Sequence, residues 1–213
     1  HKINDNSQDI MDIVIPESFS AQIITSLLTN PTDGKYDNYM INNDRCIVCI
    51  DNDNAMVPSV TFDNNVWVLN LKNVLYFLPQ MKNGVDPTFK NKFLSQSPEV
   101  IVSRWIHDLY KKNTYFESDE FKNQCDSEVL RKIGLPIKFY PGTVKELYRR
   151  ITMIQKFLKK YVNITHSQLF ELIDPVAHTC YCSLQCSPDS LFEKSLTKVV
   201  DILSKEDFER MKP

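Results

Sequence analysis

Apolar residues in the first eighty positions come in short runs broken by clusters of Asn and Asp. The runs are Ile13-Val14-Ile15, Cys46-Ile47-Val48-Cys49-Ile50, Val57 to Phe62 and Val66-Trp67-Val68-Leu69. Runs of that length between turn signals predict strands. Asp51-Asn52-Asp53-Asn54 and Asp63-Asn64-Asn65 supply the turns, because Asn and Asp tolerate left-handed backbone and hydrogen-bond their own chain. The pattern predicts an antiparallel meander with one early helix over Ser18 to Leu28.

After residue 95 the apolar spacing changes to that of helices. Ser97-Pro98-Glu99 is a start signal: a Ser cap, a Pro where the N–H has no partner anyway, and an acid in the first turn. Ile101, Trp105 and Leu109, flanked by Val102 and Ile106, predict a broad buried face. Thr143-Val144-Lys145-Glu146 reads as a capping box opening a helix to Tyr161. Ser187-Pro188-Asp189 opens another, ending near Ser204. The fold class is therefore α+β, a β-rich N-terminal half followed by a helical one. Helices near 98–112, 118–132 and 143–161, followed by further structure, are compatible with a winged-helix-like bundle.

Residues 1–9 read as a polar frayed tail, 10–82 as a β-rich α+β domain and 97–213 as a helical domain. The stretch Lys82 to Ser97, with Gly84, Pro87 and Pro98, reads as the hinge. The opening His1-Lys2-Ile3-Asn4-Asp5 reads as the end of a piece taken from a longer chain. Charge follows the same division. The 213 residues carry a formal net charge of -2. Residues 1–100 hold 7 basic and 12 acidic groups, and residues 101–213 hold 18 and 15. An acidic half is joined to a basic one.

Composition excludes several chemistries. An aromatic content of 11% is that of a chain with a packed core. Only 4 glycines occur, Gly34, Gly84, Gly134 and Gly142, no two closer than eight residues. Phosphate-cradling loops need clustered glycines so that backbone N–H groups can approach the anion. Dinucleotide, P-loop and kinase-type glycine motifs are therefore absent, as are the hydrolase elbow and the His-Glu-x-x-His metal motif. Asp51 and Asp53 fail the calcium-loop spacing. No apolar run is long enough to span a bilayer.

On the 143–161 helix, Val144, Leu147, Tyr148, Ile151, Ile154, Phe157, Leu158 and Tyr161 share one side. Lys145, Arg149, Lys156, Lys159 and Lys160 form a stripe on the other, suited to nucleic-acid phosphates or an acidic protein surface.

The 6 cysteines show no disulfide framework; Cys46 and Cys49 sit in an apolar run as small hydrophobes. His178, Cys180, Cys182 and Cys186 place four zinc donors within nine residues, and they are the metal candidates of the sequence. Their spacing departs from paired knuckles, so packed thiols and no bound metal are expected. Cys186 precedes a helix start and is the candidate nucleophile, with His178 or His166 as base. Asn163-Ile164-Thr165 matches the glycosylation acceptor pattern.

With catalytic signatures missing, the sequence predicts a non-enzymatic adaptor subunit of a larger intracellular assembly, nuclear and chromosome-associated rather than cytoplasmic. Its partners would be other protein subunits, with no cofactor, membrane or small-molecule substrate. The first alternative is a winged-helix-like nucleic-acid binder using the basic stripe. The second is a cysteine- or zinc-dependent protein.

Overall fold

A computed structural model describes residues 13–50, 55–63, 66–124 and 142–185. The tail over 1–9, the turn at Asp51 to Asn54, the later part of the helix expected over 118–132, Cys186 and the helix expected from Ser187 lie outside the described residues.

The molecule is a mixed helix-and-sheet protein. The early helix, α1, runs Pro16–Thr29, with Pro16 at its first turn and Glu17 beside it. Ile13-Val14-Ile15 forms no strand, correcting the expectation. Ile15 is the N-cap of α1 in extended conformation, as the residue before a proline prefers. Asn30 closes α1 with a left-handed backbone (φ 47°), its N–H bonding Ser26 O at 2.9 Å.

The strands form two hairpins rather than one meander. β1 (Tyr39–Ile41) pairs antiparallel with β2 (Ile47–Cys49), and β3 (Val60–Asp63) with β4 (Val66–Leu69), in separate sheets. Asn42 turns the first hairpin, its carbonyl accepting from Arg45 N and its side chain from Cys46 N. β3 starts only at Val60 because Met56 has positive φ and Pro58 offers no ladder N–H.

Helices follow: α2 (Pro87–Leu94), α3 (Pro98–Glu117), α4 (Asp119–Gln124), α5 (Thr143–Lys160), α6 (His166–Ile173) and α7 (Pro175–Gln185). Ser97 caps α3 by accepting from Val100 N at 3.3 Å. α5 takes Thr143 as its first residue rather than as the expected cap: Glu146 N bonds Gly142 O, and the Glu146 carboxylate is taken by Arg149 and Arg150.

The chain divides into two compact units, His1–Leu94 with Met153–Pro213, and Ser95–Thr152. The first is assembled from both ends of the sequence, where the sequence suggested consecutive domains. Ile23, Ile24 and Leu27 of α1 share one core with Leu71, Leu75 and Tyr76, and with Ile154, Leu158, Leu169 and Phe170. Tyr76 stacks on Phe170 with centroids 4.3 Å apart. In the second unit, Tyr115 of α3 meets Phe121 of α4 at 5.1 Å between centroids. There Tyr148 donates from its hydroxyl to Glu99 at 2.6 Å.

Candidate functional site

Three surfaces carry the residues singled out by sequence. The first is the polar side of α5. Lys145, Arg149, Lys156, Lys159 and Lys160 all occupy exposed positions. Lys145 and Arg149 stand on the part belonging to the second unit, the other three on the part belonging to the first. Arg149 is engaged by Glu146 at 2.7 and 2.8 Å. Those bonds, with Arg150 behind them, hold the Glu146 carboxyl down to about 2. Lys160 lies over the Tyr161 ring, 5.1 Å from its centroid. The opposite side is narrower than the sequence predicts: Leu147, Ile151, Ile154 and Leu158 are buried, while Val144, Tyr148 and Tyr161 are exposed. The buried four follow the strict i, i+4, i+7, i+11 seam, and the flanking apolar positions turn to solvent. Lys160, Tyr161, Gln168 and Glu171 line an open concavity of about 420 Å³ where α5 gives way to α6.

The second surface is α3. Of its twenty residues only Val102 is buried, which corrects the broad buried face expected from Ile101, Trp105, Leu109 and Ile106. Ile101, Trp105 and Leu109 are half-buried, and Ile106 and Tyr110, one turn apart, are exposed. Tyr110 keeps 70% of its surface in solvent. His107 is exposed beside them. The first hairpin shows a smaller version: Met40 and Val48 are directly paired across the strands and, with Ile50, face outward.

The third surface is a cleft of about 200 Å³ where α6 and α7 meet the 3₁₀ segments Val74–Phe77 and Pro79–Lys82. Phe77, Phe170 and Tyr181 supply aromatic walls, and the exposed Lys82 also lines it. His178 and Cys182 lie one turn apart on α7, with His178 Nε2 3.6 Å and Nδ1 3.9 Å from Cys182 Sγ. Ser167 Oγ of α6 is 3.0 Å from the same Nε2. Burial lowers the His178 pKa, opposed by the nearby Glu171 charge. Cys180 points elsewhere on α7 and is buried, which pushes its thiol up to about 11. The four-residue metal candidate set is thus split. Its Cys186 lies outside the described residues, and among those described no group of three or more His, Cys, Asp or Glu is placed to hold a metal ion. Cys46 precedes β2 and Cys49 ends it, both half-buried.

Ser167 escaped the sequence reading, although its helix had a signal. Thr165-His166-Ser167-Gln168 is a capping box, with Gln168 N bonding Thr165 Oγ1 at 3.1 Å and Thr165 N bonding Gln168 Oε1 at 3.0 Å. Asp174-Pro175 likewise announces α7, Asp174 accepting from Ala177 N at 3.1 Å. Among the described residues no helix is long and apolar enough to cross a membrane. Compared with known proteins, the chain matches no family model, no curated protein and no solved structure.

Proposed function

We propose that the chain is a non-enzymatic interaction subunit of a larger intracellular assembly, contacting a protein partner through the exposed apolar ridge of α3. The observation that carries this reading is the ridge itself. A twenty-residue helix with one buried residue leaves Tyr110 largely and Ile106 partly in solvent, and aromatic and aliphatic groups so placed serve as interface anchors. The outward Met40–Val48 pair of the first hairpin supports the same reading. Replacing both Ile106 and Tyr110 with Ser tests it. Capture of the native chain from cell extract should return a stable partner set, and the double variant should lose it by about tenfold or more in affinity. Circular dichroism and thermal transition should stay unchanged. A wild-type chain that elutes alone at endogenous concentration counts against the proposal.

A second reading, a winged-helix-like nucleic-acid binder, is supported by the exposure of Lys145, Arg149, Lys156, Lys159 and Lys160 on one side of α5. Five phosphate contacts would give a slope of about -4.5 in log affinity against log salt. Changing Lys156 and Lys160 to Glu should abolish salt-sensitive duplex binding. Unchanged binding rejects the stripe as the contact.

A further inference from the structure

We propose that Cys182 is a reactive thiol, activated by His178, that undergoes exchange with small carboxylate-bearing disulfides entering the aromatic cleft beside Lys82. The site is independent of the α3 ridge and belongs wholly to the first unit.

Three features converge on that sulfur. Cys182 is an exposed thiol, so a reagent can reach it. His178 stands one helical turn before it with Nε2 3.6 Å from Sγ, within the reach of a sulfur hydrogen bond. Ser167 Oγ, 3.0 Å from that Nε2, can accept its hydrogen, which leaves Nδ1, 3.9 Å from Sγ, as the nitrogen with the free lone pair. Burial disfavours the protonated ring, and the negative charge of Glu171 works against that burial. A thiol with an adjacent base and a stabiliser for the resulting imidazolium is the arrangement that raises the thiolate fraction. Disulfide exchange asks for little more, because attack occurs at sulfur and needs a thiolate, a proton acceptor and access.

The cleft suggests which disulfide. Its walls include Phe77, Phe170 and Tyr181, and Lys82 is the cation lining it. An apolar or aromatic arm ending in a carboxylate fits both. In the step, the Cys182 thiol proton passes to His178 Nδ1 and Sγ attacks one sulfur of the small disulfide. The S–S bond breaks, and its electron pair leaves with the second sulfur, which takes the proton back from His178. The products are a mixed disulfide on Cys182 and one small free thiol. The protein sulfur is oxidised and half of the reagent is reduced. Cys180, two residues away and buried, has neither access nor such a base.

The experiment uses the full, reduced chain with 5,5′-dithiobis(2-nitrobenzoate), an aromatic disulfide bearing carboxylates, at pH 7. One thiol should react about tenfold faster than a free small thiol, the gain available when a few per cent thiolate becomes a large fraction. Cys182→Ser should remove that fast phase, and peptide mapping of the wild type should find the adduct on Cys182. His178→Gln should slow the phase about tenfold, to the free-thiol rate, and Ser167→Ala should slow it less. Cystamine, a cationic disulfide, should show a smaller advantage over free thiol, and Lys82→Ala should equalise the two reagents. A fast phase surviving in Cys182→Ser overturns the proposal. So does an undiminished rate in His178→Gln with native circular dichroism. Loss of the reagent preference without loss of the α3 partner, or the reverse, separates this site from the interaction surface.

Discussion

Asn73 shows how one buried side chain ties distant segments together. Its N–H bonds the Tyr181 hydroxyl at 2.7 Å, its Oδ1 accepts from Leu75 N at 2.9 Å, and its Nδ2 donates to Ser26 Oγ. The Tyr181 hydroxyl in turn donates to Leu71 O. Burial raises the Tyr181 pKa, so this hydroxyl stays neutral. Tyr181→Phe should therefore strand the Asn73 N–H and cost about 1–3 kcal/mol in urea denaturation. Gly34 is bound to the same place. A Cβ there would sit 2.5 Å from Lys72 O and 2.9 Å from Asn73 Cα, so Gly34→Ala should lower stability by about 1–3 kcal/mol. His166 gives a pH signature. It is buried against Ser20 Oγ at 2.8 Å, and burial brings its pKa from 6.5 to about 4. Between those values the unfolded chain takes up a proton that the native state refuses. Stability from this group is complete above about pH 7 and falls by about 3 kcal/mol as pH drops to 4. Denaturation midpoints at pH 7 and pH 4.5 should differ, and His166→Gln should shrink the difference. None of these roles was legible in sequence, because Ser20 and His166 are 146 positions apart and Asn73 and Tyr181 108.

At the scale of elements, local signals were readable where they act within one turn. Ser97-Pro98-Glu99 opens α3 as its chemistry predicts, and the apolar spacing finds α1 and α5. The antiparallel pairing of Val60–Asp63 with Val66–Leu69 joins two apolar runs that the sequence marks as strands, while Asn64 and Asn65 of the expected turn lie outside the described residues. What pattern alone overstated is breadth. Tyr161 shares the apolar side of α5 by angle, but Lys90 of α2 reaches its carbonyl at 3.0 Å while its ring is exposed. Leu158→Ala should cost about 2–5 kcal/mol, whereas Tyr161→Ala should remain within about 1 kcal/mol. Thermal melts of the two variants separate a core position from a flank. Thr165→Ala tests the box that opens α6, with an expected loss of about 1 kcal/mol.

For the whole molecule, the first unit depends on both ends of the chain. Phe19, Ile23 and Leu27 pack in one cluster with Ile154, Leu158, Leu169 and Phe170. A chain ending at Thr152 would leave that apolar surface uncovered, at a cost of roughly 25 cal/mol per Å² exposed. It should therefore lose its cooperative unfolding transition by circular dichroism. A sharp transition in the shortened chain would contradict the shared core. By itself the sequence determined a mixture of helices and short strands, the start of α3 at Ser97-Pro98, and the absence of clustered-glycine phosphate loops. These follow from backbone preferences of neighbouring residues. Only the tertiary structure decided that the strands form two separate hairpins and that the ends of the chain close one core. It alone left Ile106 and Tyr110 in solvent and set Ser167, His178 and Cys182 around one cleft. Each of those outcomes depends on which apolar faces bury one another across long sequence separations, and periodicity along the chain carries no record of that choice.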